Sequence, residues 1–219
     1  MTHPRPYISY SQLICWEQSP AEYMERYLRG KKGRTNKGQA VGKKMADSLE
    51  TGEETGEIEM DIVVAQMPKY AFRDKEIMVR MSVGKGKERS FIPILIKPDS
   101  TREDYKAFYE YKQGDEGDPW TQKRVDEDDQ ITFYTTGLYL KIREAGGIEI
   151  PTSELIWAPT VKYLKDSVNE EYVPLSMPVL TGQIIRIPTK RTFTQILQMQ
   201  ARISKAWREI GEAIEREML

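Results

Sequence analysis

Apolar positions recur along the chain at two spacings, one helical and one extended. Val41, Met45 and Leu49 fall four apart and predict a helix over residues 37–49. Residues 125–144 place Ile131, Tyr134, Leu138 and Ile142 on one side. Asp128 or Asp129 can cap that helix, acids crowd its first turn where the helix dipole favours them, and Gly146-Gly147 stops it. After a cap at Thr189 or Thr192, the residues Phe193, Ile196, Leu197, Ile203, Trp207, Ile210 and Ile214 form one apolar seam. That seam suits a core position or a dock onto the same domain better than a coiled coil. At the front, residues 7–28 begin extended, with Ser9 or Ser11 as a helix cap. Pro20 then breaks or restarts the helix, with Ser19 as the second cap. Leu13, Trp16, Tyr23, Tyr27 and Leu28 supply its apolar stripe, read as core packing.

The extended pattern appears at 76–83, 89–97 and 107–113. Two glycines between the first two segments predict a hairpin, and Pro93 predicts an edge position or a bulge. Gly114 is expected to end the third strand, and 114–120 to form a loop. Residues 154–164 and 179–187 read as further strands joined by a polar loop, 50–56 as a loop, and 58–66 as strand or helix, ended by Pro68. This order predicts one mixed α/β domain over 1–219, a central mixed sheet flanked by helices and closed by a long C-terminal helix.

Composition narrows the chemistry. A chain of 219 residues with 39% hydrophobic and 31% charged positions can bury a sizeable core. Cys15 is the only cysteine, which excludes an intrachain disulfide, a cysteine zinc site and an iron–sulfur cluster. His3 is the only histidine, so a catalytic metal would have to rest on carboxylates. No apolar run approaches a membrane span and the first residues do not read as a signal peptide, so a cytoplasmic protein is expected. Net charge is −1, but residues 29–44 hold seven Lys or Arg and no acid, and residues 50–61 hold six acids and no base. The basic block, with Lys31, Lys32, Arg34, Lys37, Lys43 and Lys44, is either a solvated surface or a phosphate contact with strong salt dependence.

The candidate chemistry lies between Pro98-Asp99 and Glu110-Tyr111-Lys112. Residues i and i+2 of a strand point the same way, so Glu110 and Lys112 share one face and Tyr109 and Tyr111 the other. Two carboxylates and an ammonium at one spot suit metal-assisted phosphodiester hydrolysis, because hard Mg²⁺ or Mn²⁺ takes oxygen ligands and a lysine can orient water or stabilise developing charge. An acid-x-Lys triplet on its own is commonplace on solvated strands. Further segments, in order, add to it: ISYSQLICWEQSPAEYMERYL at 8–28, GQAVGKKMADSLE at 38–50, and Gln130 with Tyr134 on the helix after the third strand.

Together these resemble the PD-(D/E)XK nuclease superfamily, in its RecB-like branch, over residues 7–140. Residues 150–219 match no motif of it. The resemblance implies a restriction-endonuclease-like fold and a Mg²⁺- or Mn²⁺-dependent DNA nuclease without an iron–sulfur cluster, of the phage or bacterial exonuclease and recombination or repair type, with a partner protein in that pathway. It implies Asp99, Glu110 and the Tyr111 carbonyl as metal ligands, Lys112 as the residue that positions water, and Gln130 and Tyr134 as organisers of the site. Two departures stand out. Ser19-Pro20 replaces the branch's Cys-Pro, and its first-motif histidine falls on Gly42, leaving Glu50 as a substitute ligand or a plain surface acid. Asp99 also lies close enough to Glu110 in sequence to be a turn residue. The alternatives are a catalytically degenerate nucleic-acid-binding or assembly module on the same fold, and an interaction protein held by its C-terminal helix.

Overall fold

The computed structural model describes residues 3–31, 37–73, 75–84, 86, 89–165 and 172–217. A short strand β1 (Ile8–Ser9) leads into α1 (Tyr10–Gln18) and α2 (Pro20–Tyr23), which runs on into a π-helical turn at Met24–Leu28. Ser19 caps α2 by accepting from the Glu22 amide, and Pro20 occupies its first turn. Ser9 holds the cap position of α1 without a side-chain cap bond; its Oγ faces that of Ser11 at 3.1 Å. Next come α3 (Lys37–Thr51) and α4 (Ile58–Gln66), so the ambiguous 58–66 segment is helical.

Strands β2 (Phe72–Arg73), β3 (Ile77–Val83), β4 (Ser90–Ile96), β5 (Ser100–Thr101) and β6 (Ala107–Asp115) follow, then α5 (Gln122–Asp126) and α6 (Asp129–Glu144). The chain closes with β7 (Thr152–Lys165), β8 (Tyr172–Leu180), β9 (Ile185–Lys190) and α7 (Phe193–Glu217). One sheet has the order β1-β4-β3. The other runs β2-β5-β6-β7-β8, with β9 also on β7. Strands β6 and β7 pair in parallel from Ala107↔Thr152 to Asp115↔Thr160, bridged by α5 and α6. The far side of β7 is shared: β9 takes Thr152–Trp157 and β8 takes Thr160–Lys165.

Two apolar clusters flank the larger sheet. The main one joins Leu13 and Trp16 of α1, Phe133 and Leu138 of α6, and Ile203 and Ile210 of α7 to Ile94 and Ile96 of β4 and Phe108 of β6. The smaller packs Val41, Met45 and Leu49 of α3 and Met60 and Val63 of α4 under Ile156 and Ala158 of β7. Helices thus cover both faces, as the mixed α/β prediction required.

Several local expectations are corrected. Pro93 sits without a bulge in the middle strand of a sheet, opposite Arg80. It is tolerated there because the β1 ladder covers only Ile94 and Leu95. Gly114 does not end β6 but pairs with Pro159, and a Cβ there would come 3.4 Å from Trp157 Nε1. The 125–144 helix is two, because the Asp128 side chain caps α6 afresh by accepting from the Ile131 amide at 2.7 Å. The 179–187 segment is also two, broken where Gly182 turns with φ +77°. Thr189 lies in β9, and Thr192 is the residue whose hydroxyl accepts from the Gln195 amide at the start of α7. In α7 the buried seam is Ile196, Met199, Ile203, Ala206, Ile210 and Ile214; Phe193 and Leu197 are about half exposed, at 50% and 48%. Leu28 likewise lies at the surface.

Candidate active site

The site forms where β5, β6 and α6 meet. Register pairs Ser100 with Tyr109 and Thr101 with Phe108, so the next step places Asp99 beside Glu110. The Tyr111 amide donates to Asp99 Oδ2 at 2.6 Å, which pins the Asp99 carboxylate to the strand. Asp99 sits in a bend one residue before β5, and this bond holds its carboxylate against β6. On β6 the two-residue alternation holds. Glu110 is buried on the α6 side, while Tyr109 and Tyr111 pack with α3 and α4. The Tyr111 hydroxyl donates to the Pro68 carbonyl at 2.6 Å.

Four side chains then form a continuous relay. Lys112 Nζ donates to Glu110 Oε1 at 2.7 Å and to Gln130 Oε1 at 2.7 Å, and Gln130 Nε2 donates to the Tyr134 hydroxyl at 3.1 Å. Gln130 and Tyr134 are i and i+4 on α6, the spacing that makes them surface neighbours. Glu110 Oε2 is buried and has no hydrogen-bond partner among the described residues. Burial, reinforced by Asp99, pushes the Glu110 carboxyl up to about 8, with Lys112 opposing. Burial works against the Lys112 ammonium too, but the surrounding Glu110, Asp99 and Asp128 outweigh it and its pKa rises. Burial and Glu110 both push the Tyr134 phenol up, so it stays a neutral donor or acceptor.

The donor set here is all oxygen, which fits a hard divalent cation, and an orphaned buried carboxylate oxygen is the feature such an ion would satisfy. Among the described residues, no three of His, Cys, Asp and Glu gather round one point. Glu50, at the end of α3, does not join the relay. It lines, with Asp99, Gly42, Tyr111 and Gln113, a cavity of about 90 Å³ beneath α3. Of the basic block, Lys32 and Arg34 lie outside the described residues, as does the side chain of Lys37. Lys31 is exposed with Glu25 at 3.7 Å, and Lys43 is exposed on α3. Lys44 pairs with Glu57 at 2.5 Å, so one member of the acidic stretch folds back onto the basic helix.

Arg191 is a residue that sequence reasoning passed over. It is 2% exposed and donates to Thr132 Oγ1, Thr189 Oγ1 and the carbonyls of Val125 and Asp128 at 2.7–3.0 Å. This guanidinium fastens the start of α6, and hence Gln130, to β9. An arginine between a strand and a helix carries no signal of burial, and only the tertiary arrangement reveals it.

The chain is thus a mixed α/β protein with helices on both faces of its larger sheet and an acid–acid–lysine set beside β5. No protein-family model matches the chain, and no curated protein matches it. Among solved structures it is similar to a provisionally assigned exonuclease from Eubacterium rectale, with TM-score 0.53 and 13% identity over 94% of this chain and 80% of that one. It is also similar to a phage-related exonuclease from Haemophilus somnus 129PT, with TM-score 0.50 and 13% identity over 88% of this chain and 79% of that one. At such identity the likeness is one of fold alone.

Proposed function

We propose that the chain is a Mg²⁺- or Mn²⁺-dependent DNA nuclease of the RecB-like PD-(D/E)XK type, acting as an exonuclease in recombination or repair, alongside a partner protein of that pathway. The observation that carries this reading is the Glu110–Lys112–Gln130–Tyr134 relay abutting Asp99 at the sheet edge, in a fold shared with proteins described as exonucleases. Asp99, Glu110 and the Tyr111 carbonyl would hold the ion, with Glu50 within the same neighbourhood. When bound, the cation supplies Lewis acidity to the phosphate and makes water a better nucleophile. Lys112, braced from two sides, presents its remaining N–H to the attacking water or to charge developing on phosphate oxygen. Gln130 fixes that ammonium, and Tyr134 fixes Gln130. Lys31, Lys43 and the rest of the basic block are candidate DNA contacts, read through phosphate charge rather than base identity.

The test uses linear duplex, circular duplex and single-stranded DNA with Mn²⁺, Mg²⁺ or EDTA. Linear substrate is expected to be degraded only with the divalent ion. Glu110→Ala and Lys112→Ala are each expected to lower the rate by at least about a hundredfold, since each removes a group acting on the transition state, with circular dichroism reporting retained folding. Wild-type rates in either variant would remove the proposal.

A second reading has its own support. No third carboxylate joins Asp99 and Glu110 among the described residues, and Gly42 offers no side-chain ligand. A degenerate site that binds DNA without cutting follows if DNA affinity falls steeply with salt while no Mn²⁺ binds.

A further inference from the structure

The face of the larger sheet that turns away from Glu110 is covered at one end only. Helices α3 and α4 pack over Ile156 and Ala158, and the other end of the same face opens into a cavity of about 400 Å³. Strand register lays out its floor in rows. Ala107 of β6 pairs with Thr152 of β7, which pairs with Lys190 of β9. The next row is Tyr109, Glu154 and Pro188, and the one after it Tyr111, Ile156 and Arg186. Cross-strand partners point to the same face, so the small side chains of Ala107 and Thr152 leave a hollow with Tyr109 at its edge and Lys190 on its rim. Tyr70, between α4 and β2, stacks on Tyr109 with ring centres 4.4 Å apart and planes 8° from parallel. Its amide donates to Ser100 Oγ at 2.7 Å, which fixes it to β5. The Arg186 guanidinium lies 5.8 Å from the centre of the Tyr109 ring and donates through Nε to Glu154 Oε2 at 2.8 Å. The charged residues lining the hollow are Glu154 and Lys190. Arg186 neutralises the first, while Lys190 is exposed and pairs with no carboxylate among the described residues. The hollow therefore carries two stacked rings and one uncompensated cation.

We propose that this hollow is a nucleotide-binding site separate from the catalytic relay, in which a nucleobase continues the Tyr109–Tyr70 stack and its phosphate meets Lys190. That the ligand is a nucleotide rests on the nuclease reading given above; the hollow, its rings and its cation do not. Every base has a flat π-face, so stacking on tyrosine recognises the class without reading the sequence. Lys190 stands two strand spacings from Tyr109, about 10 Å, a gap that a sugar-phosphate and the lysine stem span together. Both Arg186 donors go to Glu154 Oε2, which leaves Oε1 to accept from the exocyclic amino group of a base. The hollow is on the reverse of β6 from Glu110, so an ion at the relay does not compete for it. A free nucleoside monophosphate and a nucleotide within a single strand share this chemistry.

The test is calorimetric titration of the whole chain with dAMP and with a short oligo-dA single strand, both in EDTA so that no strand is cut. Lys190→Glu reverses the uncompensated charge at an exposed position and is expected to weaken dAMP binding about tenfold or more. Tyr70→Leu keeps an apolar side chain but removes the ring face, and is expected to weaken it about tenfold. Circular dichroism should be unchanged in each. Truncated ligands separate the two contacts: deoxyadenosine should keep the Tyr70 dependence and lose that on Lys190, and deoxyribose 5-phosphate the reverse. Sensitivity of dAMP to both variants assigns the free nucleotide, and sensitivity of the oligonucleotide alone assigns a nucleotide of the strand. Wild-type affinity for both ligands in Lys190→Glu overturns the proposal; should Tyr70→Leu not fold, the lysine variant decides. Unchanged affinities in a chain that degrades DNA with Mn²⁺ sink this inference alone. Altered affinities in a chain that degrades no DNA sink the nuclease reading alone.

Discussion

Glu110 concentrates the chemistry of the site in one side chain. Its carboxyl is raised to about 8 from an ordinary 4.5 by burial, then by Asp99. Between those values the folded chain holds a proton that the unfolded chain has released. Stability without a divalent ion is therefore full below the ordinary carboxyl range and declines as pH rises towards about 8. Urea denaturation in EDTA at pH 5, 6.5 and 8.5 should show this decline in wild type and a flatter profile in Glu110→Gln; parallel profiles would refute it. A cation needs the carboxylate, so Mn²⁺ affinity should climb across the same window. That Glu110 and Lys112 share one face was legible in the sequence, because a strand repeats every two positions. Its burial was not, since an acid-x-Lys pair reads the same on a wet strand as under a helix. Asp99 was ambiguous for a related reason: its place in the site depends on the register of β5 against β6, a two-residue strand too short to announce itself.

At the scale of elements, the helices were legible and their joints were not. The four-residue spacing located α3, and the acids at 128–129 located the start of α6, because capping is a local event. The strand pair β8 and β9 was merged, because one apolar run conceals a turn that depends on Gly182. What secures the first turn of α6 is the buried Arg191, whose donors satisfy two main-chain carbonyls and two hydroxyls. Arg191→Leu removes four buried charge-assisted hydrogen bonds that tie α5, α6 and β9 together and should cost roughly 2–4 kcal/mol, read as a fall in melting temperature of about 6–12 °C for a chain of this size. Gln130 should loosen with it, so activity should drop further than the fraction unfolded accounts for. Arg191→Lys should recover only part of both losses, because one ammonium cannot reach acceptors on three elements. A neutral Arg191→Leu variant would mean that this bond network is dispensable.

For the whole molecule, the order of elements and the two-sided covering of the sheet followed from the sequence, while the division of labour between its halves did not. The motif-bearing residues end near 140, which invites the view that residues 150–219 are an appendage. Instead β7 pairs with β6 along its whole length, Leu155 and Trp157 belong to the main core, and α7 closes that core. Arg202 of α7 also reaches Glu17 and Asp129 at 2.7–3.0 Å, tying the two ends of the chain to α6. A fragment ending at Gly147 should therefore be largely unfolded by circular dichroism and lack divalent-ion-dependent cleavage. A cooperative melt of that fragment would refute this view. No helix among the described residues is long and apolar enough to cross a membrane.

The split partnership of β7 also has a temporal side. During synthesis, β6 leaves the ribosome with one flank open, and its parallel neighbour is more than forty residues away. Until translation reaches that neighbour, Glu110 and Lys112 lie on a ribbon that any other nascent strand could capture. The Glu110–Lys112 pair can therefore be held in its folded sheet only once β7 has been made.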